Sequence, residues 1–214
     1  MKSRMTALHE ATVHRRRIKV LANCIAGILP ENAKVLDIGC GDGQLGLLLQ
    51  LARPDLQIEG VDVLLRPHTA IPVGGFDGRH LPFPDRSVDI ALFVDVLHHC
   101  EWATALMAEA ARVARHSIVI KDHLAEGFLA RPLLRFMDFI GNAGHGVVLP
   151  YIYWSRQQWL EVFSELRWDI STWTEDLKLY PFPANWLFGR NLHFLAQFQP
   201  ERGDRVGDAS FRLV

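Results

Sequence analysis

Val35–Gly43 reads VLDIGCGDG. A short strand-forming run ends in glycines at three alternate positions, Gly39, Gly41 and Gly43. A glycine in an ordered segment costs roughly 0.5–1 kcal/mol relative to alanine. The pattern marks a place where side chains must be absent, either because the backbone turns tightly or because a ligand approaches it. The stretch QLGLLLQLA, from Gln44, reads as the helix that follows. Strand, glycine turn and helix make the opening unit of a doubly wound sheet, whose ligands sit beyond the carboxyl ends of the strands.

The rest of the chain continues the alternation. Apolar residues recur at helical spacing from His9 to Leu29, and Pro30 ends that helix. LQIEGVDV (56–63), VDIALFVDVL (88–97) and HSIVIKD (116–122) read as strands, with the helix EWATALMAEAARVAR (101–115) before the last of them. The glycine- and proline-interrupted region 124–154 breaks the order. It reads as a short helix near Pro132–Ile140 followed by an irregular loop. The helix SRQQWLEVFSEL then starts at a Ser155 cap. RWDISTWT (167–174) and NLHFLAQFQ (191–199) close the fold as strands. The pattern predicts an α/β doubly wound sheet in one domain, residues 1–200, with 124–154 as an insertion and 201–214 as a polar tail.

Composition bounds the function. The chain has 214 residues and a net charge of −1, which gives no overall attraction to nucleic acid or an anionic membrane. His14–Arg17, HRRR, lacks the interleaved aromatics of a nucleic-acid surface. No run reaches the ~18–20 apolar residues of a membrane span, and the first residues have no signal-peptide core. Cys24, Cys40 and Cys100 match no disulfide or zinc spacing. Free thiols in a reducing, cytoplasmic setting are the expectation.

Asp62 ends the second strand, placed to accept hydrogen bonds from both hydroxyls of a ribose. Glycine turn plus acid predicts a nucleoside cofactor. The glycine spacing is G-x-G-x-G, not the G-x-G-x-x-G of a dinucleotide fingerprint. VLDIGCGDG, then EGVDV (59–63), then FDGRHLPFPDRSVDIALFVDVLHH (76–99) resembles the class I S-adenosylmethionine-dependent methyltransferases, in their small-molecule, methyltransferase-11-like branch. The resemblance runs from about Lys34 to Asp122. It implies a Rossmann-like seven-stranded sheet with the last strand antiparallel, a lid insertion after the fifth strand, and S-adenosyl-L-methionine as cofactor. It also implies roles. Asp37 braces the glycine turn and reaches the methionine amino group. Gly39, Cys40 and Gly41 line the adenosyl and methionine portions. Asp62 takes the ribose, with Val63 beside the adenine. Asp77 receives the adenine amino group, with Gly78 next to it, and Asp95 lines the methionine and sulfonium end.

The cofactor carries the activated methyl group, so the protein must align an acceptor and, where the acceptor is protonated, take a proton. His98 and His99 follow the fourth strand at the reactive end, and an imidazole suits a general base. His99 is placed slightly ahead of His98; one of the two is expected to turn into the packing. Asp122 and His123 end the next strand and form either a carboxylate–imidazole pair or a solvated charge pair. Zinc on HHC (98–100) is disfavoured, because three adjacent residues do not converge on one tetrahedral ion, and no metal is expected. One arginine of HRRR either meets a carboxylate or lies on a solvated helix face.

The aromatic-rich region 128–154 predicts a specificity element for a small-molecule acceptor with apolar or aromatic parts, with GNAGHG (141–146) as hinge and His145 as an outlying contact. The loop LYPFPANW (179–186) adds Tyr180, Phe182, Asn185 and Trp186. The same apolar surface also suits a homodimer contact or ordinary core. A cofactor-binding partner without turnover, and a methyltransferase acting on protein or nucleic acid, are the competing functions.

Overall fold

The computed structural model describes residues 16–142, 151–181, 185 and 192–201. The expectations for His14 and Arg15, the loop carrying His145, Phe182, Trp186 and the tail beyond 201 lie outside these residues. Seven strands form one sheet: β1 (Lys34–Ile38), β2 (Gln57–Asp62), β3 (Val73–Gly75), β4 (Val88–Val94), β5 (Ala114–His123), β6 (Trp168–Thr174) and β7 (His193–Pro200). Their order is β3-β2-β1-β4-β5-β7-β6. β1 to β5 run parallel, and β7 runs antiparallel between β5 and β6. The strand order reverses between β1 and β4, which opens the ligand crevice of a doubly wound sheet there.

Helices cover both faces, and the side-chain alternation of the strands explains how. Leu36, Ile38, Ala91 and Phe93 pack with Leu106, Met107, Trp159 and Phe163 of α3 (Ala103–Val113) and α5 (Arg156–Glu165). Val35, Ile90 and Leu92 point the other way, onto Leu21 and Ile25 of α1 (16–26) and Leu49 of α2 (Gln44–Ala52). Strands buried on both faces have to be near-continuously apolar, as β1 and β4 are. The Ser155 cap on α5 is a reciprocal capping box with Gln158.

Two elements differ from the sequence reading. β3, three residues reading VGG, was not expected from the pattern. Two glycines carry no strand propensity, and β3 is held by parallel pairing along Gly60–Asp62 of β2. The helix in the insertion, α4 (Ala130–Asn142), is longer than Pro132–Ile140 at both ends. Ala130 and Leu134 of α4 dock with Tyr153 and Leu192 in a small separate core, which seats this helix at the end of the sheet where β5 finishes and β7 begins.

Candidate functional site

The glycine turn is tied to the end of β2. Gly39 and Cys40 donate to the Val61 carbonyl, at 2.7 and 3.2 Å. Gly41 donates to Asp62 Oδ2 at 2.8 Å, and Leu64 donates to Asp62 Oδ1 at 2.8 Å. Gly39 adopts a φ of +75°, and a Cβ there would meet the Val96 side chain at 2.6 Å. Gly41 has a φ of +61° and its Cβ direction meets no heavy atom within 4 Å. The first glycine is required by packing and the second keeps a space open.

Asp37 lies beneath this turn, buried, and its Oδ2 has no hydrogen-bond partner among the described residues. Burial, reinforced by the charge of Asp62, pushes its carboxyl up to about 7. Burial and the same two acids push the Cys40 thiol up to about 12, so Cys40 packs as a neutral side chain, and all three cysteines are free thiols. Val63 is exposed, and a Cβ on Gly78 would lie 3.2 Å from it, so Asp62, Val63 and Gly78 form one edge of the crevice. Asp77 turns into its own loop. It accepts from the amides of Arg79 and His80, at 2.8 and 2.7 Å, and pairs with His80 Nδ1 at 2.9 Å.

At the opposite end, β4 and β5 deliver a second set of groups. Asp95, in the left-handed region with φ 58°, follows β4 and receives Arg17 from α1 on one oxygen and Lys121 from β5 on the other. Burial opposes ionisation of Asp95, but the two cations hold it well below the usual carboxylate range. Arg17 thus faces inward and is not part of a solvated face. Lys121 is fully buried and also lies 3.3 Å from His193 Nδ1.

His98 is buried, its Nδ1 2.5 Å from Asp122 Oδ1. Asp122 also accepts from the amides of Leu97, at 3.0 Å, and His123, at 2.7 Å. The imidazole partner of Asp122 is therefore His98 and not its neighbour His123, whose Nδ1 is 3.7 Å away. A strand sends successive side chains to opposite faces, which parts the two. His98 is the member of the histidine pair that turns into the packing. His99 is half-buried, its Nδ1 without a hydrogen-bond partner among the described residues. Burial and the neighbouring His98 lower its pKa to about 4.

Two residues the sequence reading did not single out complete the group. Asp138 of α4 accepts a hydrogen bond from the Tyr153 hydroxyl. Its Oδ2 lies 3.5 Å from His98 Nε2, and its Oδ1 3.9 Å from His123 Nε2. The signal for Asp138 was present: an acid inside the apolar run FMDFI (136–140) sits on a helix face that otherwise buries. His193, the second, opens β7, its ring centroid 5.0 Å from that of His123 and tilted to it. The crevice thus has a glycine–acid end at β1 and β2, and an imidazole–carboxylate end at β4, β5 and α4.

Known proteins resemble this chain in sequence or in fold. The chain is 30% identical over 123 residues to the 27-O-demethylrifamycin SV methyltransferase of Amycolatopsis mediterranei, covering 50% of this chain and 43% of that protein. It is 30% identical over 115 residues to a fatty-acid O-methyltransferase of Mycolicibacterium smegmatis, covering 48% and 41%. The chain thus spans less than half the length of these curated relatives. The solved structure of geranyl diphosphate methyltransferase in complex with SAM superposes with a TM-score of 0.63 at 13% identity, covering 85% of this chain and 84% of that one. Residues 9–169 match the methyltransferase domain family, and the chain belongs to that family.

Proposed function

We propose that this chain binds S-adenosyl-L-methionine at the glycine–acid end and methylates an oxygen of a small molecule with apolar parts. One observation carries the cofactor assignment: Asp37 keeps a buried carboxylate oxygen without a hydrogen-bond partner among the described residues, beside a turn whose open side faces Gly41. A buried polar atom of this kind needs a partner, and the cofactor's ammonium group is one. Asp62 is fixed by two backbone amides and keeps lone pairs for the ribose hydroxyls. When bound, the cofactor supplies an activated methyl group on a sulfonium.

The acceptor reading rests on the other end. Tyr153 lies beside His98 and His123 with Tyr151 next to it, and Phe128, Leu129 and Phe136 are exposed on and before α4. These side chains suit an apolar acceptor, and region 124–154 is assigned as its lid. The acceptor hydroxyl is activated at the group of His98, His99 and His123. Two of the three curated relatives are methyltransferases named for oxygen methylation, which supports oxygen over nitrogen or carbon; the third, matched over 58 residues only, is named as a ribosomal RNA methyltransferase. Among the described residues no helix is long and apolar enough to cross a membrane, and three free thiols suit a reducing compartment, so the cytoplasm is the proposed location.

The test has two stages. Calorimetry with S-adenosylmethionine reads cofactor binding. A labelled methyl donor added with cell extract, followed by fractionation, reads turnover and identifies the acceptor class. Label on a small apolar product, as an alkali-stable ether or an alkali-labile ester, supports the reading; label on protein or RNA alone overturns it.

A further inference from the structure

The imidazole–carboxylate end contains more donor atoms than proton transfer alone requires. Ligand-competent atoms of His98, His99 and Asp138 lie within 4.8 Å of one another. The His98–Asp138 separation is 3.5 Å, too long for a hydrogen bond. Two donors that far apart, each about 2.1 Å from one ion, subtend an angle of about 110°. That is the angle of a tetrahedral site.

Neutral His98, with its proton on Nδ1, suits this. Its Nδ1 sits 2.5 Å from Asp122 Oδ1, and donation there leaves the lone pair on Nε2, the nitrogen that faces Asp138. A carboxylate behind a histidine is the usual support of a metal-bound imidazole. His99 brings a buried Nδ1 without a hydrogen-bond partner among the described residues. Two neighbouring donor sets fail on geometry or charge. In the set of His98, Asp122 and His123, the 2.5 Å contact is a hydrogen bond and too short for two ligands of one ion. In the set of Asp95, His123 and His193, both Asp95 oxygens already hold cations, Arg17 and Lys121.

We infer that His98, His99 and Asp138 bind one divalent transition-metal ion of the zinc or iron(II) class at the acceptor end of the crevice. Two imidazoles and one carboxylate suit these ions and leave coordination positions open. The adjacent pair alone does not make the site; the third donor arrives from α4. The ion's role rests on the proposed function, whereas its presence does not. In that role it is a Lewis acid for the acceptor hydroxyl. The O–H bond breaks and the proton passes to water. The electron pair left on oxygen forms the new C–O bond as the C–S bond breaks, its pair staying on sulfur. One proton is released per methyl group moved.

The test uses the full chain stripped of metal with a chelator. Zn²⁺ is titrated by competition with a chromophoric chelator, and Co²⁺ is followed by visible absorption. Binding of one Zn²⁺ per chain, with a tetrahedral Co²⁺ spectrum free of thiolate charge-transfer bands, supports the site. His99→Gln and Asp138→Asn should each weaken Zn²⁺ at least ~100-fold, and Asp122→Asn ~10–100-fold, while Cys100→Ser leaves it unchanged. Absence of binding at ~1 mM Zn²⁺, affinity untouched by both ligand variants, or loss in Cys100→Ser overturns the inference; the wild-type Co²⁺ spectrum decides the matter should a variant fail to fold. S-adenosylmethionine calorimetry on the same stripped protein reports on the proposed function alone.

Discussion

The Gly41 amide donates to Asp62 Oδ2 across 2.8 Å, so the glycine turn of β1 and the acid of β2 form one unit. Leu64 holds the second oxygen, and the carboxylate has no freedom to swing. Asp62→Ala should remove two ribose hydrogen bonds, each worth roughly 1.5–3 kcal/mol at a charged acceptor. S-adenosylmethionine should bind at least tenfold more weakly by calorimetry. Unchanged affinity in a folded variant would end the ribose assignment.

Asp37 gives a pH prediction. Burial first, then Asp62, raises its carboxyl to about 7, while in the unfolded chain it titrates near 4. The folded state therefore holds a proton that the unfolded state has lost between those values. Its contribution to stability is full below about pH 4 and lost as pH rises through about 7. Asp37→Asn should flatten the fall in melting temperature over that window. It should also weaken cofactor binding, since a neutral amide accepts a hydrogen bond from an ammonium but supplies no opposite charge. A variant with unaltered pH dependence of melting would refute the assignment.

Tyr153 anchors α4 through Asp138. Tyr153→Phe leaves a buried carboxylate short of one donor, at a cost of about 1–3 kcal/mol. Hydrogen exchange should quicken across Ala130–Asp138 while β1 and β4 keep their protection. In the native protein, cofactor and acceptor together should slow the same amides if the helix is a lid. Exchange that ignores both ligands points to a fixed core element.

Replacing His99 by glutamine should lower turnover by about 10²–10⁴-fold with cofactor affinity within a few-fold. The two ends of the crevice are separate, which is why the effects should split this way. Turnover near normal in both His98→Gln and His99→Gln would make the histidines structural.

Most of the fold was legible because it is written in short-range patterns. The apolar runs of β1 and β4, the glycine turn and the Ser155 cap each act over a few residues. β3 was not legible, since Val73–Gly75 is a strand only by virtue of its neighbour. The site divides in the same way. Asp37, Gly41 and Asp62 sit in contiguous motifs and come together as expected. Asp122 and His123 are adjacent in sequence, yet the partner that Asp122 holds is His98, which only the pairing of β4 with β5 brings near. Asp138 stands out locally as an acid in an apolar run, but no local spacing ties it or His193 to β4 and β5, because α4 and β7 lie far along the chain.

Among the described strands β7 is the last in order of synthesis and yet occupies an interior slot, between β5 and β6. On the ribosome, β1 to β5 emerge first, and the β5 edge stays unpaired until His193–Pro200 is made. An exposed strand edge is a template for other chains. Nascent chains of this protein should depend on chaperone capacity until that final insertion, and a stop codon placed shortly after β6 should yield aggregates and no smaller, working enzyme.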